Sequence, residues 1–371
     1  MKNIYLDYNA STPIDPEVIA SMQPYLTGYF GNPSTNHWAG KPVKDALDRA
    51  RSQISSSLHC HPSEIVFTSG GSESNNHALK GVYFANKNRG HHIITTQIEH
   101  PTIINTCKYL ENFGAKTTYL EVDSYGQVSP DDVESAITDD TILISVMHAN
   151  NEVGTVQPIA EIAEIARRHN ILFHTDAAQS MDKIPANVKE LGVDLLTLAG
   201  HKLYAPKGIG ALYIKEGTCI DSFVHGASHE SGRRAGTENI LLAVGLGKAC
   251  EMMSIFINDQ SILKLRDYFW SELKSYFKAN VKRNGHPEQC LPNTLNISFV
   301  RKSGVEILNQ IPQLAASTGS ACHSGEIHIS PVLQAMKVNE HAATGTIRFS
   351  LGRYTTNEEI DLAIKLLVDH V

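Results

Sequence analysis

His174-Thr175-Asp176-Ala177-Ala178-Gln179-Ser180 and Leu195-Leu196-Thr197-Leu198-Ala199-Gly200-His201-Lys202 bound the stretch that decides how the rest of the chain is read. Ile171-Leu172-Phe173-His174 reads as a strand that delivers Asp176. Leu195–Leu198 reads as a second strand that delivers His201 and Lys202. An acid and a lysine at the carboxyl ends of neighbouring strands suit a crevice site in an open α/β sheet.

The pair admits two readings. One is a strand-end aspartate beside a surface lysine. The other is the lysine and acid that pyridoxal phosphate requires, the lysine for attachment and the acid to keep the pyridine nitrogen protonated. The surrounding sequence bears on the choice. Strand-like runs recur at Glu64–Phe67, Ile93–Thr96, Thr117–Val122, Thr141–Met147, Asp194–Leu198 and Gly210–Ile214. Between them, Pro42–Leu58, Ile103–Phe113, Asp131–Ile137 and Ile159–His169 carry apolar residues at helical spacing. Strands alternating with helices predict crossover units and a mostly parallel sheet. Helical patterns at Glu238–Ile257, Ile262–Phe277 and Asn357–Val371 and a strand at Thr294–Val300 complete the chain. A boundary is expected near residue 257, with the first dozen or so residues packing against the C-terminal part.

The 371 residues are 42% hydrophobic and 19% charged, an ordinary globular composition. A net charge of −7 argues against a dedicated nucleic-acid binder. No apolar run is expected to span a membrane, and MKNIYLDYNASTP lacks a signal-peptide core, so a cytoplasmic location is expected. Cysteines 60, 107, 219, 250, 290 and 322 show no C-x-x-C spacing and read as thiols rather than a disulfide framework.

Several motifs carry possible chemistry. Thr68–Ser74 is a glycine-rich turn from strand to helix, where backbone N–H groups and the hydroxyls of Thr68, Ser69 and Ser72 make an anion cradle, or simply a connection. His100 follows a strand and suits stacking on a flat cofactor or proton transfer; a hydrogen-bonded structural histidine fits equally. His91 and His92 read as surface residues. Asn150-Asn151 reads as turn chemistry or as ring-binding amides. Gly232–Asn239 reads alone as a capping loop with solvated arginines. Arg348 and Ser350 share one face of a strand, and arginine is a natural carboxylate clamp, with a surface ion pair as the plainer alternative. Ser317–Gly325 is small, polar and flexible in composition, with Cys322 beside His323, a neighbour suited to raising its thiolate fraction.

Taken together, these motifs resemble those of the cysteine desulfurases, in the class-V aminotransferase group. YLDYNASTP, GNPS, FTSGGSESNN, IEH, ANNEVG, HTDAAQ, GHKLYAPKG, RRAGTEN, GSACHSG and IRFSLGR occur in family order over nearly the whole chain. The resemblance implies an α/β fold of the fold-type-I pyridoxal-phosphate-dependent transferases, with a large domain on a mostly parallel sheet (14–257). A smaller α+β domain (1–13 with 258–371) would carry the cysteine loop. It further implies that Lys202 is the Schiff-base lysine and Asp176 the partner of the pyridine nitrogen. Gln179 and Asn151 would contact the ring oxygen, and His100 would stack on the ring. Gly71, Ser72 and His201 would hold the phosphate, and Thr237 would reach the phosphate of a neighbouring subunit in a homodimer. Arg348, with Asn151, would bind the substrate carboxylate, and Cys322 would be the nucleophile.

Implied partners are L-cysteine and a sulfur acceptor such as an iron–sulfur scaffold, with no direct nucleic acid and no membrane. No resident metal is implied, though Cys322 would be placed to ligate a cluster during transfer. The Cys322–Arg348 spacing matches the long-loop class, which serves nitrogen fixation and cluster assembly.

Three positions depart from the family pattern. Ala199 stands where many relatives have a phosphate-binding Ser or Thr, Ser72 where Thr is common, and Gly226–Glu230 replaces a more glycine-rich run. Loss of one hydrogen bond to a charged group costs about 1.5–3 kcal/mol, so weaker cofactor binding is expected. Ala321-Cys322-His323-Ser324 is similar to a run in animal selenocysteine lyases, which leaves selenocysteine lyase as an alternative beside cystine or cysteine β-lyase and a non-catalytic cofactor-binding scaffold.

Overall fold

The computed structural model describes residues 2–257, 259–323 and 326–371, with backbone only for 320–323 and 326–328. Near the start of the chain lies β1 (Ile4–Tyr5). Strands β2 (Ile65–Thr68), β3 (His92–Thr96), β4 (Lys116–Leu120), β5 (Thr141–Ser145), β6 (Leu172–Asp176), β7 (Leu195–Ala199) and β8 (Gly210–Ile214) form a seven-stranded sheet in the order β2-β8-β7-β6-β5-β3-β4. The β3–β4, β3–β5, β5–β6 and β6–β7 pairs are parallel. β8 runs antiparallel to both β7 and β2. Two reversals return β2 to the direction of β7, so β2, β3, β5, β6 and β7 all end on one edge. Most of these strands are buried throughout, as their continuous apolar runs require when helices cover both faces.

The helix Gly40–Leu58 buries Val43, Ala46, Leu47, Ala50, Ile54 and Leu58, one stripe at helical spacing. It packs on the helix Ile240–Ile257. A Cβ on Gly247 would lie 2.6 Å from Ala50 Cα, so the crossing requires glycine there. By length and composition Ile240–Ile257 is apolar enough to cross a membrane, against the expectation that no run was. Its apolarity here serves the crossing with Gly40–Leu58, and Leu246, Ala249 and Cys250 lie in the core.

The C-terminal part has its own sheet. β9 (Val281–Asn284), β10 (Thr294–Phe299), β12 (Ser317–Thr318) and β15 (Thr346–Ser350) pair antiparallel in the order β12-β15-β10-β9, and β11 (Leu314–Ala315) pairs with β1. The helices Ser261–Phe277 and Asn357–His370 cover this sheet through Phe269, Leu273, Ile360, Ala363 and Leu367. Ile4 and Leu6 belong to this second core. Beyond them, the Asp7–Ala10 segment runs along β15, where Asp7 bridges to Ser350, and on to the ends of the large sheet.

Within the stretch 317–325, read from sequence as a loop, Ser317–Thr318 and Ser320–His323 are strand. β13 (Ser320–His323) pairs antiparallel with β14 (Glu326–Ile329), and the two form a separate sheet. The backbone of Glu326–Ile329 supplies the partner that the small-residue composition of the loop concealed.

Candidate active site

Five strand ends meet in a cavity of about 330 Å3. After β2 comes Gly71-Ser72, after β3 His100, after β5 Asn151, at β6 Asp176 and Gln179, and after β7 His201-Lys202. Arg348 of β15 closes the cavity from the second sheet, and Asn9-Ala10 contribute from the N-terminal segment.

Lys202 Nζ donates to the carbonyls of Asn9 and Ala10. Burial lowers its pKa to about 8, with Arg348 and Lys183 pushing the same way and Asp7 and Asp176 opposing. A sizeable fraction of the amine is therefore neutral, and nucleophilic, near physiological pH. Asp176 is buried and held from two sides: Asn75 Nδ2 donates to Oδ2 at 2.7 Å and the Ala178 N–H donates to Oδ1 at 2.9 Å. Asn75 also donates to Thr102 Oγ1 at 2.8 Å, and Thr102 meets His100 Nδ1 at 2.8 Å. The Thr102 backbone N–H donates to the same nitrogen, which assigns the His100 proton to Nε2. Desolvation lowers the His100 pKa, favouring that neutral ring. Burial and the Lys202 and Lys207 charges lower His201 to about 4, so it too is neutral and offers one N–H.

The helix Gly71–Asn86 begins at the cavity with no side-chain cap. Its first N–H groups and helix dipole favour an anion there. A Cβ on Gly71 would lie 3.3 Å from Ala199 Cβ, so Ala199 faces this cradle with a methyl group. The hydroxyl of Thr68, expected in the cradle, instead meets Ser74 Oγ at 2.8 Å inside the protein, and Glu73 takes up the Ser69 N–H. Ser72 lines the cavity as expected.

Arg348 is nearly buried and shared. It donates to Asp7 Oδ1 at 2.7 Å, Ser317 Oγ at 2.9 Å and the Asn151 carbonyl at 3.0 Å. It is thus neither the surface ion pair nor a free clamp. Ser350, on the same face, accepts from the Asn9 N–H. Thr237 is exposed and not among the cavity-lining residues. Its loop is anchored near the cradle, because Arg234 pairs with Glu73 at 2.9 Å rather than facing solvent. His92, expected at the surface, is buried and meets Thr141 and Thr118, which explains why it tolerates a strand interior.

The side chains of Cys322 and His323, together with Ser324-Gly325, lie outside the described residues. Burial pushes the Cys60, Cys107 and Cys250 thiols up to about 12 and raises Cys290, which disfavours the thiolate at all four. Cys219 is exposed and is not among the cavity-lining residues.

Sequence reasoning passed over Asn9, Asn75, Thr102 and Asp7. Asn75 stands four residues after Gly71, one helical turn into the cavity-facing side of its helix, a signal that spacing carries. The contacts of Asp7 and Asn9 join opposite ends of the chain and leave no local signal.

An aminotransferase class-V family model matches residues 4–363. Cysteine desulfurase IscS of Dictyoglomus turgidum is 46% identical over 99% of this chain and 94% of that protein. A solved NifS-like protein superposes with a TM-score of 0.93 at 36% identity, covering 99% of this chain and 98% of that one. A structure of SspA in complex with cysteine superposes with a TM-score of 0.85 at 39% identity, covering 95% and 100%. The chain belongs to the cysteine desulfurases of the class-V aminotransferase family. Enzymes of this family depend on pyridoxal phosphate, and the cavity fits such a group in three respects. An attachable amine stands opposite a pinned carboxylate. An uncapped helix start at Gly71, with its N–H groups at the cavity, suits a phosphate. Gln179 Oε1, buried without a hydrogen-bond partner among the described residues, awaits a donor.

Proposed function

We propose that the chain is a pyridoxal 5'-phosphate-dependent L-cysteine desulfurase. It converts L-cysteine to L-alanine and leaves the sulfur as a persulfide on Cys322 for transfer to an acceptor, such as an iron–sulfur cluster scaffold. The observation that carries this reading is the convergence of the lowered-pKa Lys202 amine, the pinned Asp176 carboxylate and Arg348 on one cavity. The full-length likeness to named cysteine desulfurases supports it.

Lys202 would hold the cofactor covalently, and Asp176 would pair with its ring nitrogen. Gln179 and Asn151 would meet its ring oxygen, His100 would stack on it, and Gly71, Ser72 and His201 would hold its phosphate. When bound, the cofactor stores the electron pair released at the substrate Cα. Lys202 Nζ takes the Cα proton. Arg348 binds the substrate carboxylate, exchanging part of its contact with Asp7 and Ser317 for the ligand. The Cys322 thiolate attacks the substrate Sγ: a sulfur–sulfur bond forms, the Cβ–S bond breaks, and its electron pair goes to Cβ. Protonation there completes the methyl group of alanine, so cysteine plus thiol gives alanine plus persulfide with no outside oxidant.

The same reading includes a homodimer in which Thr237 serves the neighbouring subunit's phosphate. It also includes a division into a large cofactor domain (14–257) and a small domain (1–13 with 258–371), for which the separate second core is the support. The test is to load the purified protein with pyridoxal phosphate, add cysteine and identify the products. Alanine in step with sulfur release is expected; pyruvate would replace this reading with a β-lyase.

A further inference from the structure

The β13–β14 hairpin that bears Cys322 stands on two feet, and both are tied to the cavity wall. At the first foot, Arg348 donates to Ser317 Oγ at 2.9 Å. At the second, the Ser330 hydroxyl donates to Glu152 Oε2 and accepts the Val332 N–H at 3.1 Å. The Ser330 N–H donates to the Gly319 carbonyl at 2.8 Å, closing the neck between the feet. The two ties meet at one short unit. Arg348 holds the carbonyl of Asn151, and Glu152 is the next residue.

Glu152 itself is fixed: Asn150 Oδ1 accepts its N–H at 2.8 Å, and Asn296 Nδ2 donates to its carbonyl at 3.1 Å. Its carboxyl is buried, and Oε1 has no hydrogen-bond partner among the described residues. Burial raises its pKa to about 7, against the pull of Ser330 and Arg348. A buried carboxyl with one oxygen unsatisfied is an expensive way to cap the five-residue helix Pro331–Ala335, whose cap Ser330 supplies without it. What the carboxyl adds is the link from the cavity loop to the hairpin.

We propose that Glu152 is a positioning residue for the sulfur-transfer step: it fixes Ser330 at one foot of the Cys322 hairpin while Arg348 fixes Ser317 at the other. The proposal rests on the reading of Cys322 as the sulfur acceptor. It assigns Glu152 no contact with substrate or cofactor. A ligand carboxylate that engages Arg348 then exchanges only its side-chain contact with Ser317, while the β12–β15 ladder at the first foot and the Glu152–Ser330 tie at the second keep the hairpin in register with the cavity.

The test uses cofactor-loaded protein and the variants Glu152→Ala, Glu152→Gln, Ser330→Ala and Ser330→Thr. One readout is the rate at which iodoacetamide alkylates Cys322 in the absence of cysteine, followed on its peptide by mass spectrometry. The other is the single-turnover rate of sulfur gain on the same peptide at saturating cysteine, set beside the cysteine concentration needed for the spectral response of the bound cofactor. Small displacements of a reacting group cost up to about 100-fold, so both alanine variants should gain sulfur about 10- to 100-fold more slowly. Their cysteine affinity should be unchanged, and their Cys322 alkylation rate should depart from wild type. Gln and Thr preserve a hydrogen bond between positions 152 and 330, and should restore both rates.

Wild-type alkylation and sulfur gain in a folded alanine variant would overturn the proposal, as would equal losses in Glu152→Gln and Glu152→Ala. Should Glu152→Ala fail to fold, the Ser330 pair decides alone. Absence of sulfur on Cys322 in the wild type would instead refute the desulfurase reading, and the alkylation rates would still judge the clamp.

Discussion

The lysine side and the thiol side of the site are built on different principles. Lys202 and Asp176 stand at the ends of paired strands inside a seven-stranded sheet, and each is held by at least two hydrogen bonds. Cys322 stands on a strand that pairs with β14, in a two-stranded sheet that among the described residues joins neither of the larger ones. Arg348 lies between, on a ladder of the small sheet with its guanidinium divided among Asp7, Ser317 and Asn151. Groups that hold a ring and move a proton over short distances gain from a rigid frame. On the proposed reading, a nucleophile that also presents its sulfur to another protein gains from standing on a small hairpin outside the two larger sheets.

The largest expected effect lies on the rigid side. Lys202→Ala would remove both the proposed attachment amine and the proposed proton carrier, so alanine formation should fall by at least about 100- to 10,000-fold. The yellow colour of the loaded protein should be lost, and no cofactor should stay covalently bound after borohydride reduction and dialysis. Cofactor still fixed to the variant by borohydride would place attachment at another lysine.

Between the two regions, Arg348→Gln tests the shared guanidinium. A lost charged hydrogen bond costs about 1.5–3 kcal/mol, or about 10- to 150-fold, and KM for cysteine should rise within that range. The same variant removes the leading cation that lowers the Lys202 pKa. The neutral amine is the reactive form, so cofactor uptake by the apo-protein should increase as pH rises towards about 8 and level off above it. In Arg348→Gln that profile should move to higher pH. An unmoved profile would mean that burial alone sets the Lys202 pKa.

The smallest effect concerns the phosphate cradle. Ala199→Ser places a hydroxyl toward Gly71 and should slow cofactor loss on dialysis by about tenfold, the low end of the worth of one hydrogen bond to a charged group. Unchanged loss would show that the uncapped helix start, Ser72 and His201 already satisfy the anion.

The rigid side was the legible one. Asp176, His201 and Lys202 follow apolar runs with strand character, and alternation of strand and helix placed them on one edge. Parallel sheets concentrate their information in this way, because every strand is a continuous apolar run. The network that orients these residues was not legible. Asn75 and Thr102 look like any polar helix residue until three-dimensional pairing brings them between Asp176 and His100. Thr68 was misread because a hydroxyl next to a glycine turn can face either way, and Ser74 captured it. The thiol side was legible in composition only: small residues in 317–325 suggested a loop, while the backbone of Ser320–His323 pairs with β14. Asp7 and Arg348 are far apart in sequence, and no local pattern reports such a contact.

The most direct test of the division between a fixed cofactor side and a sulfur-carrying hairpin is one mass spectrum. Cofactor-loaded wild-type protein and Cys322→Ser are each given one equivalent of cysteine, quenched and digested, and alanine is quantified in the same samples. The wild type should show one added sulfur on the Cys322 peptide and matching alanine. Cys322→Ser should keep its cofactor colour and its spectral response to cysteine while making no alanine. Sulfide and pyruvate from both proteins, with no sulfur on the Cys322 peptide, would contradict the account.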